Sequence, residues 1–139
     1  MVNNNNLRTS GRLTPARNAI CSFLKNHQEP VDYEQILAFL KKHKLRVNKT
    51  TVYRQLDSLL KEGLIQELDF GEGKKRYEMK QEHHHHHLLC TNCHKVECVD
   101  IKDDFHNEEK KILRNNNFKV KSHVLEFFGI CGNCQEKNK

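Results

Sequence analysis

The stretch NKTTVYRQLDSLLKEGLIQELDFGEGKKRYEMK, residues 48–80, decides the fold of the N-terminal half. Asn48 can cap a helix whose apolar residues recur at helical spacing, and Gly63 is a typical helix end. Two β-prone runs follow, joined by the Gly-flanked turn GEG, and they predict a hairpin. The stretch therefore predicts one helix followed by two antiparallel strands.

Two shorter helices are predicted before this stretch. Thr14 followed by Pro15 is typical of a helix start, and Asp32 can cap a second helix after the break at Pro30. Three short helices followed by a hairpin describe a winged helix-turn-helix, whose third helix enters the major groove of DNA. An ordinary helical bundle with a polar surface is the alternative. The outward residues of the third helix are Thr50, Thr51, Tyr53 and Arg54.

The formal net charge of +6 is unevenly placed. Basic residues outnumber acidic residues in residues 1–65, whereas the two balance in residues 66–139. A basic half beside a neutral half is typical of a protein that meets a polyanion with one domain. A solvated basic face is the alternative, so the charge supports nucleic-acid binding only together with the predicted fold.

The sequence also indicates the cellular compartment in which the protein resides. It has no run of about 18 apolar residues, and its N-terminus lacks the apolar core of a signal peptide. We therefore expect a cytoplasmic protein that does not bind a membrane. Because the cytosol keeps thiols reduced, we expect the six cysteines to be metal ligands or redox pairs rather than structural disulfides.

The second half predicts a small α/β domain. Its expected elements are strands at 84–90 and 95–100, a helix at about 104–116 and a strand at 118–130. The expected division of the chain is a winged-helix DNA-binding domain at 1–79, a hinge at 80–83 and a dimerisation and metal-binding domain at 84–139. The fold class is therefore α+β. A domain as small as the second usually needs a metal or a partner subunit for stability, and we expect both.

Two Cys-x-x-Cys pairs give the most specific signal in the chain. Cys90 and Cys93 follow the first predicted strand of the second domain, and Cys131 and Cys134 follow its last strand. Four thiolates are the ligands of a closed, tetrahedral structural zinc site, which would tie the two ends of the sheet together. Two redox-active dithiols are the alternative. Cys98 is expected to pack in the core, with metal ligation and sensitivity to oxidation as the alternatives.

Five consecutive histidines precede the first cysteine pair. If residues 84–90 form a strand, the side chains of His84 and His86 point to one face, and those of His85 and His87 point to the other. One strand would then serve two metal sites. A purification tag and a loosely ordered run that binds metal adventitiously are the alternatives, although a tag would not be followed by two buried leucines and a cysteine pair.

Four segments carry a resemblance to a known family. They are LTPARNAI, NKTTVYRQLDSLLKEGLI, RYEMKQEHHHHHLLCTNCHKVECVD and HVLEFFGICGNC. In order and spacing they resemble the ferric uptake regulator family, from about residue 8 to residue 134. The resemblance implies a homodimeric, metal-dependent repressor whose winged helix binds a palindromic operator in double-stranded DNA. Its second domain would dimerise and bind metal.

The resemblance also implies roles for individual residues. The segment TVYR matches the DNA-reading motif of the family, so Thr51, Tyr53 and Arg54 are expected to contact DNA. Arg12 and Arg17 fall where family members carry basic residues near DNA.

Two regulatory metal sites are implied as well. The first draws on Glu78, His85 and His87. The second draws on His84, His86, a helix residue and a strand histidine; the last two are His106 and His123 in this chain.

This chain departs from the family pattern at two of these positions. The helix ligand is usually glutamate, and His106 stands there. The first site usually takes a histidine from the DNA-binding domain, and Pro30 stands in its place; Glu29 and His27 are the candidate replacements.

The metal sensed is not decided by the sequence. The all-nitrogen second site favours zinc as the regulatory metal, in addition to the structural zinc. Iron is the next candidate, and a peroxide-sensing regulator is also possible. Two rivals from other classes are a constitutive DNA-binding protein with metal-buffering histidines and a metalloenzyme. Because no HExxH motif or phosphate-binding loop is present, we expect that the protein is not an enzyme.

Overall fold

A computed structural model describes residues 14–102 and 105–139. They form two compact units, which correspond to Met1–Gln81 and Glu82–Lys139. Arg12, one of the predicted DNA contacts, lies outside the described residues. Among the helices described, none is both long enough and apolar enough to cross a membrane.

The three helices of the first unit begin at capping side chains. These helices are α1 (Pro15–Asn26), α2 (Tyr33–Lys42) and α3 (Lys49–Lys61). Thr14 and Asn48 accept hydrogen bonds from backbone N–H groups in the first turns of α1 and α3, at 3.1 and 2.8 Å. Asp32 and Gln35 form a reciprocal capping box at the start of α2. Each cap satisfies backbone donors that the helix itself leaves unpaired.

A three-stranded antiparallel sheet completes the first unit. Its strands are β1 (Val31–Asp32), β2 (Ile65–Leu68) and β3 (Arg76–Met79), in the order β1-β3-β2. β2 and β3 are the predicted hairpin, and with the three helices they confirm the winged helix-turn-helix. β1 was not predicted, because two residues are too few to show a period in the sequence.

The core of the first unit lies between the three helices and the hairpin. Its members are the apolar residues on one face of each helix, together with residues of the sheet. Several of them are almost fully buried, among them Ile20, Ile36, Leu40, Val52, Leu56 and Leu59. Burial of such side chains contributes about 1.5–3 kcal/mol each, and it fixes which face of α3 remains outside.

The second unit contains a mixed three-stranded sheet and two helices. Its elements are β4 (His86–Cys90), β5 (Val96–Val99), α4 (His106–Asn116), β6 (Glu126–Gly129) and α5 (Gly132–Lys137). β4 is central: it pairs antiparallel with β5 and parallel with β6. With the first unit, this arrangement confirms the predicted α+β class.

The last strand is shorter than the sequence predicts. We expected a strand over 118–130, but only Glu126–Gly129 is a strand, and the helix α5 that follows it was not predicted. β6 pairs with residues His87–Cys90 of β4, so the length of its neighbour limits how far it extends. His123 therefore lies in the segment before the strand rather than on it.

Asp32 is expected to stabilise the first unit in a pH-dependent way. Burial opposes ionisation of Asp32, but the Lys74 ammonium at 2.7 Å and the backbone N–H of Gln35 outweigh it and lower its pKa. The ionised cap thus contributes stability above the unfolded-state pKa of about 3.9 and loses it as pH falls through the lower folded-state pKa.

We expect Asp32→Ala to cost about 1–2 kcal/mol of unfolding free energy at pH 7. The measurement is urea unfolding followed by circular dichroism, at pH 7 and at pH 3 or below. Asp32→Asn is the matched control, because it keeps an acceptor for the cap and removes only the charge. A difference in unfolding free energy between wild type and Asp32→Asn that persists undiminished at low pH would show that the charge of Asp32 does not stabilise the unit.

Candidate metal centres and nucleic-acid interface

Four thiols converge at one end of the second sheet. Cys90 ends β4, Cys93 lies in the turn that follows, Cys131 precedes α5 and Cys134 lies within it. Their sulfur atoms all lie within 4.8 Å of one another, and the sulfurs of Cys93 and Cys131 are 3.7 Å apart. The parallel pairing of β4 with β6 brings the two Cys-x-x-Cys turns together.

The spacing of these thiols fits a metal rather than a disulfide. None of the six cysteines forms a disulfide, which would need sulfurs about 2.05 Å apart. A tetrahedral zinc with zinc–sulfur bonds of about 2.3 Å places its sulfurs about 3.8 Å apart. The thiols of Cys90, Cys93, Cys131 and Cys134 therefore form a four-cysteine cluster of zinc-site dimensions.

Backbone donors prepare one of these thiols for metal binding. The N–H groups of Cys131 and Cys93 lower the pKa of Cys90 to about 6. The N–H of Lys95 also lowers the pKa of Cys93, but its hydrogen bond with Cys90, burial, and the other two thiols raise that pKa to about 11. A dication supplies the charge that lets all four ionise.

His84, which precedes β4, and His86 on it gather with His123 on one side of the strand. The ring of His84 lies 4.5 Å from that of His86 and 4.9 Å from that of His123, measured between centroids. The Nε2 atoms of His86 and His123 are buried without a hydrogen-bond partner. Desolvation, followed by the neighbouring His86 and His123, lowers the pKa of His84. Neutral imidazoles with unused nitrogens are the form in which histidine binds metal.

A carboxylate on α4 contacts this group. Oε1 of Glu109 lies 3.1 Å from Nδ1 of His123. Nδ1–H can donate to the carboxylate, which leaves Nε2 of His123 as the atom available to a metal. His106, the predicted helix ligand, is the first residue of α4 and is exposed. Glu109 was not predicted, although it lies one helical turn beyond His106 and has the side chain that the family pattern favours.

His85, which precedes β4, and His87 on it lie on the other side of the strand. The rings of His85 and His87 are 4.8 Å apart, and His87 is buried. Cys98 of β5 lies opposite His87 in the strand register. The ligand atoms of these three residues are within 4.8 Å of one another. The strand begins at His86 rather than at the predicted residue 84, but the two pairs of rings still lie on opposite sides of it.

The remaining predicted ligands belong to the first unit. Glu78 lies on β3, is buried and accepts a hydrogen bond from Gln66. Pro30 is buried immediately before β1, and Glu29 beside it is exposed. His27 follows α1, and its Nδ1 lies 3.0 Å from the carbonyl oxygen of Phe23. The roles of these residues in metal binding remain predictions.

The outer face of α3 presents polar and aromatic side chains. Tyr53 is 42% exposed, Arg54 is exposed and Thr51 is partly exposed. The ring of Tyr53 stacks on that of Tyr33, with 4.7 Å between centroids and 4° between planes. This stack, which the sequence did not reveal, holds Tyr53 in place at the start of α2. Lys49 extends the same surface, 5.9 Å from the centre of the Tyr53 ring.

Arg17 occupies a different environment from the one expected of a DNA contact. Its side chain is almost fully buried, and its guanidinium donates to Glu62 at 2.6 Å and to Ser58 at 3.3 Å. This ion pair joins α1 to the end of α3. A direct contact between Arg17 and DNA would require the pair to open, which is costly because a buried charge would lose its partner.

A winged helix with an exposed recognition face, in a chain that also carries clustered metal ligands, defines a metal-responsive DNA-binding regulator. Comparison with known proteins agrees. The ferric uptake regulator family matches residues 8–128. The chain therefore belongs to the ferric uptake regulator family, whose members are transcription regulators rather than enzymes.

Several relatives resemble the chain along most of their length. The ferric uptake regulation protein of Bacillus subtilis is 34% identical over 133 residues, which are 93% of this chain and 89% of that protein. The peroxide-responsive repressor of Staphylococcus aureus is 30% identical over 134 residues, with 94% and 88% covered. The solved ferric uptake regulator of Helicobacter pylori has a TM-score of 0.79 at 25% identity, with 92% and 85% covered. The relatives differ in what they sense, so they leave the metal undecided.

Glu109 is expected to strengthen metal binding by the group of His84, His86 and His123, because it contacts His123. Carboxylates that orient a ligating histidine typically contribute 10–100-fold in metal affinity. We expect Glu109→Ala to weaken zinc binding at this group by about that factor, measured by competition with a fluorescent zinc indicator. Glu108→Ala is the matched control, because it removes a neighbouring exposed carboxylate of the same helix. Equal affinities in the two variants would show that Glu109 has no such role.

Proposed function

We propose that the protein is a homodimeric, cytoplasmic repressor that binds palindromic double-stranded DNA when its regulatory sites are loaded with a divalent metal, zinc being favoured. One observation carries the proposal: β4 and the two residues before it present two separate histidine groups, one on each side, in addition to the four-thiol cluster. A protein that needed metal only for folding would have no use for these additional groups.

The four-thiol cluster is proposed to hold a structural zinc ion. A closed set of four thiolates leaves no free position and releases its metal slowly, so it suits folding rather than sensing. The histidine groups, in contrast, offer borderline ligands that must be neutral to bind. The ferric uptake regulator of Helicobacter pylori has three functional metal binding sites. We propose the same number here.

Zinc is the favoured regulatory metal, and iron is the next candidate. Imidazole nitrogen suits both metals, and oxygen ligands favour harder ions. The group of His84, His86 and His123 is rich in nitrogen, which supports zinc. Some relatives are named ferric uptake regulation protein and others peroxide-responsive repressor, so iron sensing and peroxide sensing are the alternatives. Glu78 and His106 remain proposed additional ligands on the strength of the family resemblance.

The outer face of α3 is proposed to read DNA. Arg54 can pair with guanine through two hydrogen bonds, and Tyr53 and Thr51 can pack against thymine methyl groups or hydrogen-bond to phosphate. Arg12 remains a proposed contact. For Arg17, the buried ion pair with Glu62 supports a role in fixing α1 against α3.

Dimerisation is proposed to use the second unit. Several large apolar side chains there are exposed to solvent, and contiguous exposed apolar surface is typical of an interface. They are Ile112, Leu113, Phe118, Val124, Phe127 and Phe128. A two-fold dimer would present two copies of α3 to half-sites about 34–36 Å apart, which is why we expect a palindromic operator.

Selective metal removal tests the effector role. A mild chelator that leaves one zinc per subunit should weaken DNA binding by about 5–150-fold, the usual range of an allosteric coupling. The DNA is a duplex selected from a random pool by the zinc-loaded protein, and binding is followed by fluorescence anisotropy. Elemental analysis of the same samples establishes which metals remain. Unchanged affinity after the extractable metal has left would favour the constitutive DNA-binding protein.

Arg54→Ala tests the DNA-reading face. Loss of a paired base contact should cost about 1–3 kcal/mol, or roughly 5–150-fold in affinity for the selected duplex. Lys61→Ala is the matched control, because it removes a positive charge from the far end of α3, where Lys61 pairs with Asp57. Equal effects of the two substitutions would indicate a purely electrostatic contribution and would contradict base reading by Arg54.

A further inference from the structure

We infer that Cys98 is a metal ligand that acts together with His85 and His87, so that this regulatory site contains sulfur as well as nitrogen. The inference deepens the proposed sensor role of the two histidines and rests on it. It gives the site a chemical preference that the histidines alone would not have.

The register of the second sheet places the thiol beside the histidines. Cys98 on β5 is the direct partner of His87 on β4. In an antiparallel pair, directly opposed residues project from the same face of the sheet, with Cβ atoms about 4.5–5.5 Å apart. His85 precedes His87 by two residues, and its ring reaches the same side. The three side chains therefore meet without any rearrangement of the backbone.

The distances are close to those of a metal site. The ligand atoms of Cys98, His85 and His87 all lie within 4.8 Å of one another. A tetrahedral zinc with bonds of about 2.0–2.1 Å to nitrogen and 2.3 Å to sulfur needs separations of about 3.3–3.6 Å. Rotation about the side-chain torsion angles can bring the three ligand atoms to these separations.

The environment of Cys98 does not match that of a cysteine retained for packing. Unpaired cysteines that serve as small apolar residues are among the most buried side chains in proteins. Cys98 is exposed, and it does not belong to the four-thiol cluster. Cys21, in contrast, is partly buried and packs against the hydrophobic core of the first unit. A ligand role explains why a thiol stands at an exposed position opposite a buried histidine.

A thiolate changes which metals the site prefers. Sulfur is a soft ligand that favours zinc and copper(I), whereas manganese and magnesium prefer oxygen. With Cys98 as a ligand, the site should discriminate zinc from manganese more strongly than two imidazoles alone. This preference provides a reason, independent of the group of His84, His86 and His123, to favour zinc over harder metals.

Cobalt(II) substitution tests the inference on the full-length protein. Cobalt bound to a thiolate absorbs strongly in the near ultraviolet through sulfur-to-metal charge transfer, whereas cobalt bound only to nitrogen and oxygen does not. The extractable sites are loaded with cobalt while the resistant zinc stays in the four-thiol cluster, and elemental analysis verifies both. We expect the charge-transfer band in the wild type and in Cys21→Ser, which is the matched control. We expect its loss in Cys98→Ser.

A second variant separates ligation from folding. Cys98→Asp replaces the thiolate with a carboxylate that can still bind metal, so it should retain cobalt without the charge-transfer band. It should also bind zinc at least about tenfold more weakly than the wild type. Loss of a residue that only orients a metal ligand already weakens metal binding by about 10–100-fold. Circular dichroism verifies that each variant is folded.

The outcomes distinguish the inference from the proposed function on which it rests. Cobalt bound by the wild type without a charge-transfer band would overturn the role of Cys98 and leave the histidine sites standing. A band that persists in Cys98→Ser, with the zinc content unchanged, would also overturn it. If the wild type bound no metal beyond the resistant zinc, both the inference and the proposed sensor function would fail.

Discussion

The pairing of β4 with a strand on each side is the constraint on which the second unit depends. Parallel pairing with β6 places Cys90 beside Gly129, two residues before Cys131, so backbone hydrogen bonds bring the two cysteine pairs together. Antiparallel pairing with β5 places Cys98 opposite His87. A shift of one residue in either register would turn every side chain of that strand to the opposite face and separate the ligand sets.

The proposed zinc in the four-thiol cluster would also compensate for a small core. Few apolar side chains of the second unit are deeply buried, and α4 has no buried residue among those described. Domains of this size rarely stabilise themselves by apolar burial alone. The two cysteine pairs lie at the same end of the sheet rather than at its two ends, because β4 and β6 are parallel. A zinc ion bound there can supply the missing stability, since zinc binding by small domains is worth roughly 10–16 kcal/mol. Folding of the unit and occupation of the four-thiol cluster are then one process.

Local signals allowed most of the first unit to be predicted. Thr14, Asp32 and Asn48 were predicted as helix caps, and each forms its capping hydrogen bond, because capping depends only on residues three positions apart. Features set by distant partners were missed. The two-residue strand β1 exists because β3 lies beside it, and the Tyr33–Tyr53 stack joins two helices.

In the candidate sites, too, features set by the local sequence could be predicted and features set by distant contacts could not. The four cysteines could be predicted because their spacing reflects the two tight turns that hold a zinc ion. The contact between Glu109 and His123 depends on how α4 packs, and the length of the last strand depends on its neighbour β4. The buried ion pair between Arg17 and Glu62 could not be predicted, because its two residues are far apart in the sequence. A basic residue near the recognition helix favoured a DNA contact instead.

If the proposed histidine sites on the two sides of β4 both bind metal, they cannot be independent. His84 and His86 alternate with His85 and His87, so a metal on either face restricts the backbone that carries the other site. The first ion to bind bears the loss of conformational entropy of the segment from His84 to His87, and the second ion finds that segment already ordered. Such sharing gives positive cooperativity without any change of fold. Two sites that share a run of adjacent histidines would then respond more sharply to metal concentration than two sites on separate elements.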